Sequence, residues 1–195
     1  MTEEEIIRGC LKFERASQRT LYDIYSGRMM QVCIRYSKNN PDAKEIFLDA
    51  FKTILNNFKI FAEENAKRKK DSSSLFLEEW IKKEIIASAI RHMHANKREY
   101  FVSSTVSARD LEKPLTLELT DEQLVTPSNK QFVIKALQQL SPSYRAVYNL
   151  YELDNYPHSE ISKLLDISEY TSKDSLSKAK FNLRKNLTHL VPKQA

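Results

Sequence analysis

The residues best suited to a chemical task lie near the C-terminal end, where Lys173, Lys178, Lys180, Arg184 and Lys185 recur on one helical pattern. Between Tyr170 and Leu190 the only acid is Asp174. Such side chains make and break no bonds. They attract phosphate and release its counterions, which is how proteins hold nucleic acid. The same pattern also fits a solvated lysine face. Just upstream lies a short apolar-stepped helix, the chain breaks at Leu165-Asp166-Ile167, and Ile161, Leu164, Leu165 and Ile167 are expected to pack the helices on either side together. Ser168 is placed to cap a second helix. Leu176, Ala179, Leu183, Leu187 and Leu190 give that helix a buried stripe at three- and four-residue steps. Two short helices around a tight break outline a helix-turn-helix, whose second helix enters the DNA major groove.

Elsewhere, the residues that could do chemistry are poorly arranged for it. His92 and His94 sit two apart on a helix and point to different faces, so they cannot chelate one metal ion. No nucleophile stands beside a base, and two glycines in 195 residues leave no phosphate cradle. Neither an enzyme, a metal, a cofactor nor a small-molecule substrate is expected. Cys10 and Cys33 fall on apolar helix positions and read as small buried hydrophobes.

The elements that must position these residues are helical. Leu, Ile, Lys, Glu and Ala dominate, and 41% of residues are hydrophobic. Helices are expected from Glu3 to Glu14 (capped by Thr2), from Ala16 to Ser37, from Pro41 or Asp42 onward, from Leu77 to Lys97, and from Lys130 onward. Ser141-Pro142 starts another, and Asn155-Tyr156-Pro157 ends it. The segment from Ala62 to Ser74 reads as a charged loop, with Lys67, Arg68, Lys69 and Lys70 in a row. From Glu99 to Pro127 the periodicity fails amid an acid excess, which marks a tether. The net charge of +5 fits a polyanionic partner. No apolar run is long enough to span a bilayer, and the acidic start "MTEEEIIRGC" lacks a secretory signal, so a cytoplasmic protein is expected.

Both halves resemble the extracytoplasmic-function (ECF) class of the sigma-70 family of RNA polymerase sigma factors, in the form common in Bacteroidetes-type bacteria. At the C-terminal end the resemblance rests on "ALQQLSPSYRAVYNLYELDNYPHSEISKLLDISEYTSKDSLSKAKFNLRKNL". At the N-terminal end it rests on "QRTLYDIYSGRMMQVCIRYSKNNPDAKEIFLDAFKTI" and "WIKKEIIASAIRHMHANKR". The resemblance implies an all-α protein of two small helical domains joined by a flexible acidic linker. A region 2-like domain would occupy 1–98, the linker 99–127, and a helix-turn-helix of the region 4 type 128–195.

The implied partners are core RNA polymerase and promoter DNA, with a membrane anti-sigma factor as a frequent further partner in the family. Asp42, Glu45, Ile46, Asp49 and Phe51 would dock on a coiled coil of the polymerase clamp; a capped helix with solvated acids fits the same residues. Lys67, Arg68, Lys69, Lys70, Lys82, Lys83, Arg91, Lys97 and Arg98 would face the minus-ten element. Lys173, Asp174, Ser175 and Lys178 would meet base edges of the minus-thirty-five element, and Thr171, Ser172, Lys180 and Arg184 its phosphates. The acidic linker would thread the polymerase's basic channel. Leu48, Ala87, His94, Ala95, Tyr170 and Ser175 depart from the family pattern. The alternative that those departures leave open is a sigma-like regulator that binds DNA or polymerase without opening promoters.

Overall fold

A computed structural model describes residues 1–67, 73–95 and 130–190, with side chains described in 1–65, 76–95 and 131–187. Every regular element among them is helical, and the chain divides into two compact units, Met1–His92 and Met93–Ala195.

The first unit is built from α1 (Glu3–Leu11), α2 (Arg15–Tyr36), α3 (Asn40–Asn56), α4 (Phe58–Lys67) and most of α5 (Ser73–Ala95). Thr2 caps α1 through a reciprocal box with Glu5. The helix stops three residues short of the expected Glu14. Phe13 takes up the left-handed conformation at φ 57°, and the Phe13 and Glu14 amides turn back to the carbonyls of Cys10 and Gly9. Gly9 faces α2, and a Cβ there would overlap the Ser17 side chain. On α2, Leu21, Tyr25, Met29, Cys33 and Tyr36 are buried as the period required, whereas Ile24 is exposed. Asn39 caps α3, its side chain accepting from the Asp42 amide, so the helix starts at Asn40, one residue before Pro41 and two before Asp42.

The expected loop at Ala62 is instead the second half of α4. Phe58 and Phe61 are fully buried and pack with Phe76 and Trp80, their ring centroids 5.0–5.8 Å apart. Two aromatics three residues apart anchor this helix, and the polar residues after them extend it as ordinary helix formers.

The second unit contains α6 (Lys130–Gln138), α7 (Pro142–Tyr148) continued by a π-helical segment (Asn149–Leu153), α8 (His158–Leu165) and α9 (Glu169–Leu190). Its core joins Ala136, Leu137 and Leu140 to Ala179, Leu183 and Leu187, flanked by Phe132, Val133, Tyr144 and Tyr148. Arg145 is buried at 1% exposure, and its guanidinium donates to the carbonyls of Gln138 and Leu140. Those carbonyls lie at the last residue of α6 and two residues beyond it, where the helix no longer supplies amide donors. Asn155 and Asp166 hold left-handed turns that end the π segment and α8. The linker, 99–127, lies outside the described residues.

Candidate nucleic-acid interface

The turn between α8 and α9 builds as the residue types require. Asp166, at φ 55°, ends α8, and the Ile167 amide reaches back to the Ser162 carbonyl. The Ser168 hydroxyl accepts from the Thr171 amide at 2.9 Å and starts α9. Ile161 and Leu165 bury between the helices; Ile167 is half-buried, and Leu164 turns to solvent. A second link ties the pair, for His158 Nδ1 lies 2.8 Å from Ser172 Oγ. The Tyr151 ring stacks on His158 at 4.4 Å. Burial lowers the His158 pKa, the nearby Lys173 charge lowers it further, and Glu169 opposes them.

This arrangement divides the predicted contact residues on α9. Ser172 is fully buried and Ser175 nearly so, on the same inner side as Leu176, Ala179 and Leu183. Neither serine reaches a groove, which corrects the base and phosphate contacts expected of them. Ser175 lies four residues from Ala179 and Ser172 seven, so both belong to the inner arc of the 3.6-residue period. Thr171, Lys173, Ser177, Arg184 and Lys185 lie on the solvent side, with Tyr170 beside them. Ser177 and Tyr170 were absent from the expected contact set, and Lys185 stood among the cations without an assigned contact. The helical period places Ser177 four residues and Tyr170 three residues from Lys173, on its side of the helix.

Two lysines of the set are engaged within the unit. Lys178 Nζ bonds Asp174 at 2.7 Å, and that hydrogen bond raises the lysine's pKa. Lys180 Nζ meets Glu152, on the π-helical segment, at 2.7 Å. A phosphate recruiting either lysine competes with a carboxylate already in place. Exposed pairs of this kind contribute about 0.2–1 kcal/mol, so the competition is mild.

The N-terminal set is also divided. Glu45 and Asp49 are exposed on α3, flanking Leu48 at 67% exposure. Phe51 is half-buried, its ring 5.4 Å from Tyr22 and 6.1 Å from Phe47. Ile46 is core, and Asp42 is buried, so neither presents a side chain for docking. Asp42 Oδ2 accepts from the Lys38 amide at 2.8 Å, and its Oδ1 lies 2.6 Å from His92 Nε2, tying the start of α3 to α5. With Glu45, these residues place one ligand atom each within 4.8 Å of one another. Asp42 is already committed to two internal bonds there, so the trio reads as a joint between helices.

Asp49 accepts from Ser88 and lies 3.7 Å from Arg91, which places Arg91 beside an acid. Lys83 pairs with Glu79 at 3.4 Å. Lys82 is half-buried. Lys67 ends α4 and its side chain is not described, and Arg68, Lys69, Lys70, Lys97 and Arg98 lie outside the described residues. Burial pushes the Cys10 thiol up to about 11 and the Cys33 thiol to about 12, as small core hydrophobes require.

Residues 133–181, about a quarter of the chain, match the family model of sigma-70, region 4. The matched segment runs from α6 through the first part of α9, so the geometry just described is that of a region 4 helix-turn-helix. Region 4 is a DNA-binding domain of transcription factors without catalytic activity of its own, and its presence supports a sigma-factor role in transcription initiation. No curated protein matches the chain. Among the described residues, no helix is long and apolar enough to cross a membrane.

Proposed function

We propose that this chain is an ECF-type sigma factor that binds core RNA polymerase in the cytoplasm and directs it to promoters. The C-terminal unit, taken as 128–195, reads the minus-thirty-five element through α9. The N-terminal unit, taken as 1–98, docks on polymerase through the exposed Glu45 and Asp49 of α3. It meets the minus-ten region through its basic residues, and the acidic 99–127 segment tethers the two. The reading is carried by one coincidence: within the segment matching region 4, the capped second helix turns Lys173 to solvent, with Arg184 just beyond the match. Cations on one side of a helix and an apolar stripe on the other are what phosphate contact and a stable domain respectively demand.

Run-off transcription tests it. Purified chain and core polymerase, on templates carrying a duplex selected by their complex, give a promoter-dependent transcript. A second reading, a sigma-like regulator without promoter opening, is favoured by the inward turn of Asp42 and Ile46, which thins the docking face. Under that reading the chain co-purifies with polymerase and yields neither an open complex nor a transcript.

A further inference from the structure

Among the described residues of the second unit, the large hydrophobic side chain most open to solvent is Tyr170, in the first turn of α9, at 81% exposure. Among the described residues its ring makes no hydrogen bond or aromatic contact. An aromatic ring left in water forgoes the stabilisation that burial gives, and the fold gains nothing from it there. Its position is informative. The first turn of the second helix of a helix-turn-helix reaches deepest into the major groove. Tyr170 shares a ridge with Asp174 and Lys178, at four-residue steps, and the phenol is near enough to raise the Lys178 pKa slightly. The same face carries Thr171, Lys173 and Ser177. An apolar ring one helical turn from the exposed Lys173 matches a surface with phosphates at its edges and one apolar feature on its floor. In the major groove that feature is the thymine 5-methyl group.

We propose that Tyr170 is a specificity-determining residue that packs its ring against a thymine methyl in the duplex held by α9. The inference rests on the proposed promoter-binding function and adds to it a base and a side chain. The occupant is duplex DNA, because Lys173 beside the ring complements phosphate and the ring lies on the turn that enters the groove.

The test uses the full chain with core polymerase, and a duplex obtained from a random pool by repeated binding and amplification. Each thymine of that duplex is replaced in turn by uracil, which removes only the methyl. One replacement is expected to weaken binding by wild type and by Tyr170→Phe about three- to fivefold, the effect of one buried methyl. Tyr170→Ala, whose thermal unfolding should match wild type because the side chain is exposed, should be indifferent to that same replacement. Equal uracil profiles for wild type and Tyr170→Ala would overturn the assignment while leaving promoter binding intact. So would a Tyr170→Ala variant whose only defect is in joining polymerase. Failure of the wild-type complex to select any duplex would instead overturn the function on which the assignment depends.

Discussion

The acids of α3 and the cations of α9 were expected to serve partners in the same way, yet the two helices treat their charges differently. On α3, Asp42 faces inward and bonds the Lys38 amide and His92, while Glu45 and Asp49 stay outside. On α9, no cation is buried. Lys173, Arg184 and Lys185 are exposed, and Lys178 and Lys180 are half-exposed in pairs with carboxylates of the same unit. The difference lies in side-chain length and in helix ends. Asp42 is short and sits in the first turn of α3, from which it reaches back to the Lys38 amide ahead of the helix, so it is drawn into the fold. Lysine and arginine carry long apolar stems that let the charge stay in water beside a packed core. A short acid near a helix start is therefore more apt to be structural than a long cation further along a helix.

The sharpest break of that comparison is to remove a core residue under the cation face. Leu183→Ala empties a fully packed site and should destabilise the C-terminal unit by about 2–5 kcal/mol. Hydrogen exchange should show lost protection in α6 and α9 and unchanged protection in α2 and α3. Next, Asp42→Ala should cost about 1–3 kcal/mol, because it leaves the Lys38 amide and His92 without their acceptor. Urea unfolding would measure that loss, and an unchanged midpoint would return Asp42 to the docking set.

A smaller effect separates the cations from one another. Lys173→Ala should shallow the dependence of log K on log salt by about 0.9, the value for one lost phosphate contact. Lys180→Ala should shallow it by less, since Glu152 already neutralises that charge, and Glu152→Gln should steepen it. Equal slopes for the two lysine variants would show that the Glu152 pair opens on binding. The smallest expected effect is pH-dependent. The His158 pKa is lower in the folded protein than in the unfolded chain. Its contribution is therefore complete above the unfolded value of about 6.5 and is lost as pH falls through the folded value. Denaturation at pH 7.5 and 5.5 should show this loss in wild type, and His158→Gln should diminish it.

Much of the fold was legible because apolar periodicity and capping are local. Leu21, Tyr25, Met29 and Cys33 on α2, and Leu176, Ala179, Leu183 and Leu187 on α9, repeat at steps that only a helix aligns. Thr2 and Ser168 announced their caps through their own side chains. The second half of α4 was less legible, because Phe58 and Phe61 matter only once Phe76 and Trp80 are beside them. At the site, the α9 cations were readable from composition and period. Ser172 and Ser175 were misassigned because serine is compatible with either side of a helix, and only packing says which. That Lys180 pairs with Glu152 was not legible, because the π-helical segment brings the acid to it only in the folded unit.

The order of residues alone therefore determined that the described chain would be helical, where a helix-turn-helix would form, and that its second helix would carry excess positive charge. Those properties depend on neighbours within four residues. Tertiary structure alone decided which of those charges face water, that Asp42 ties α3 to α5, and that Arg145 closes α6 from within. A long-range contact pairs residues that no local pattern relates, and whether a polar side chain joins the core or the solvent is settled only when a partner from another helix arrives.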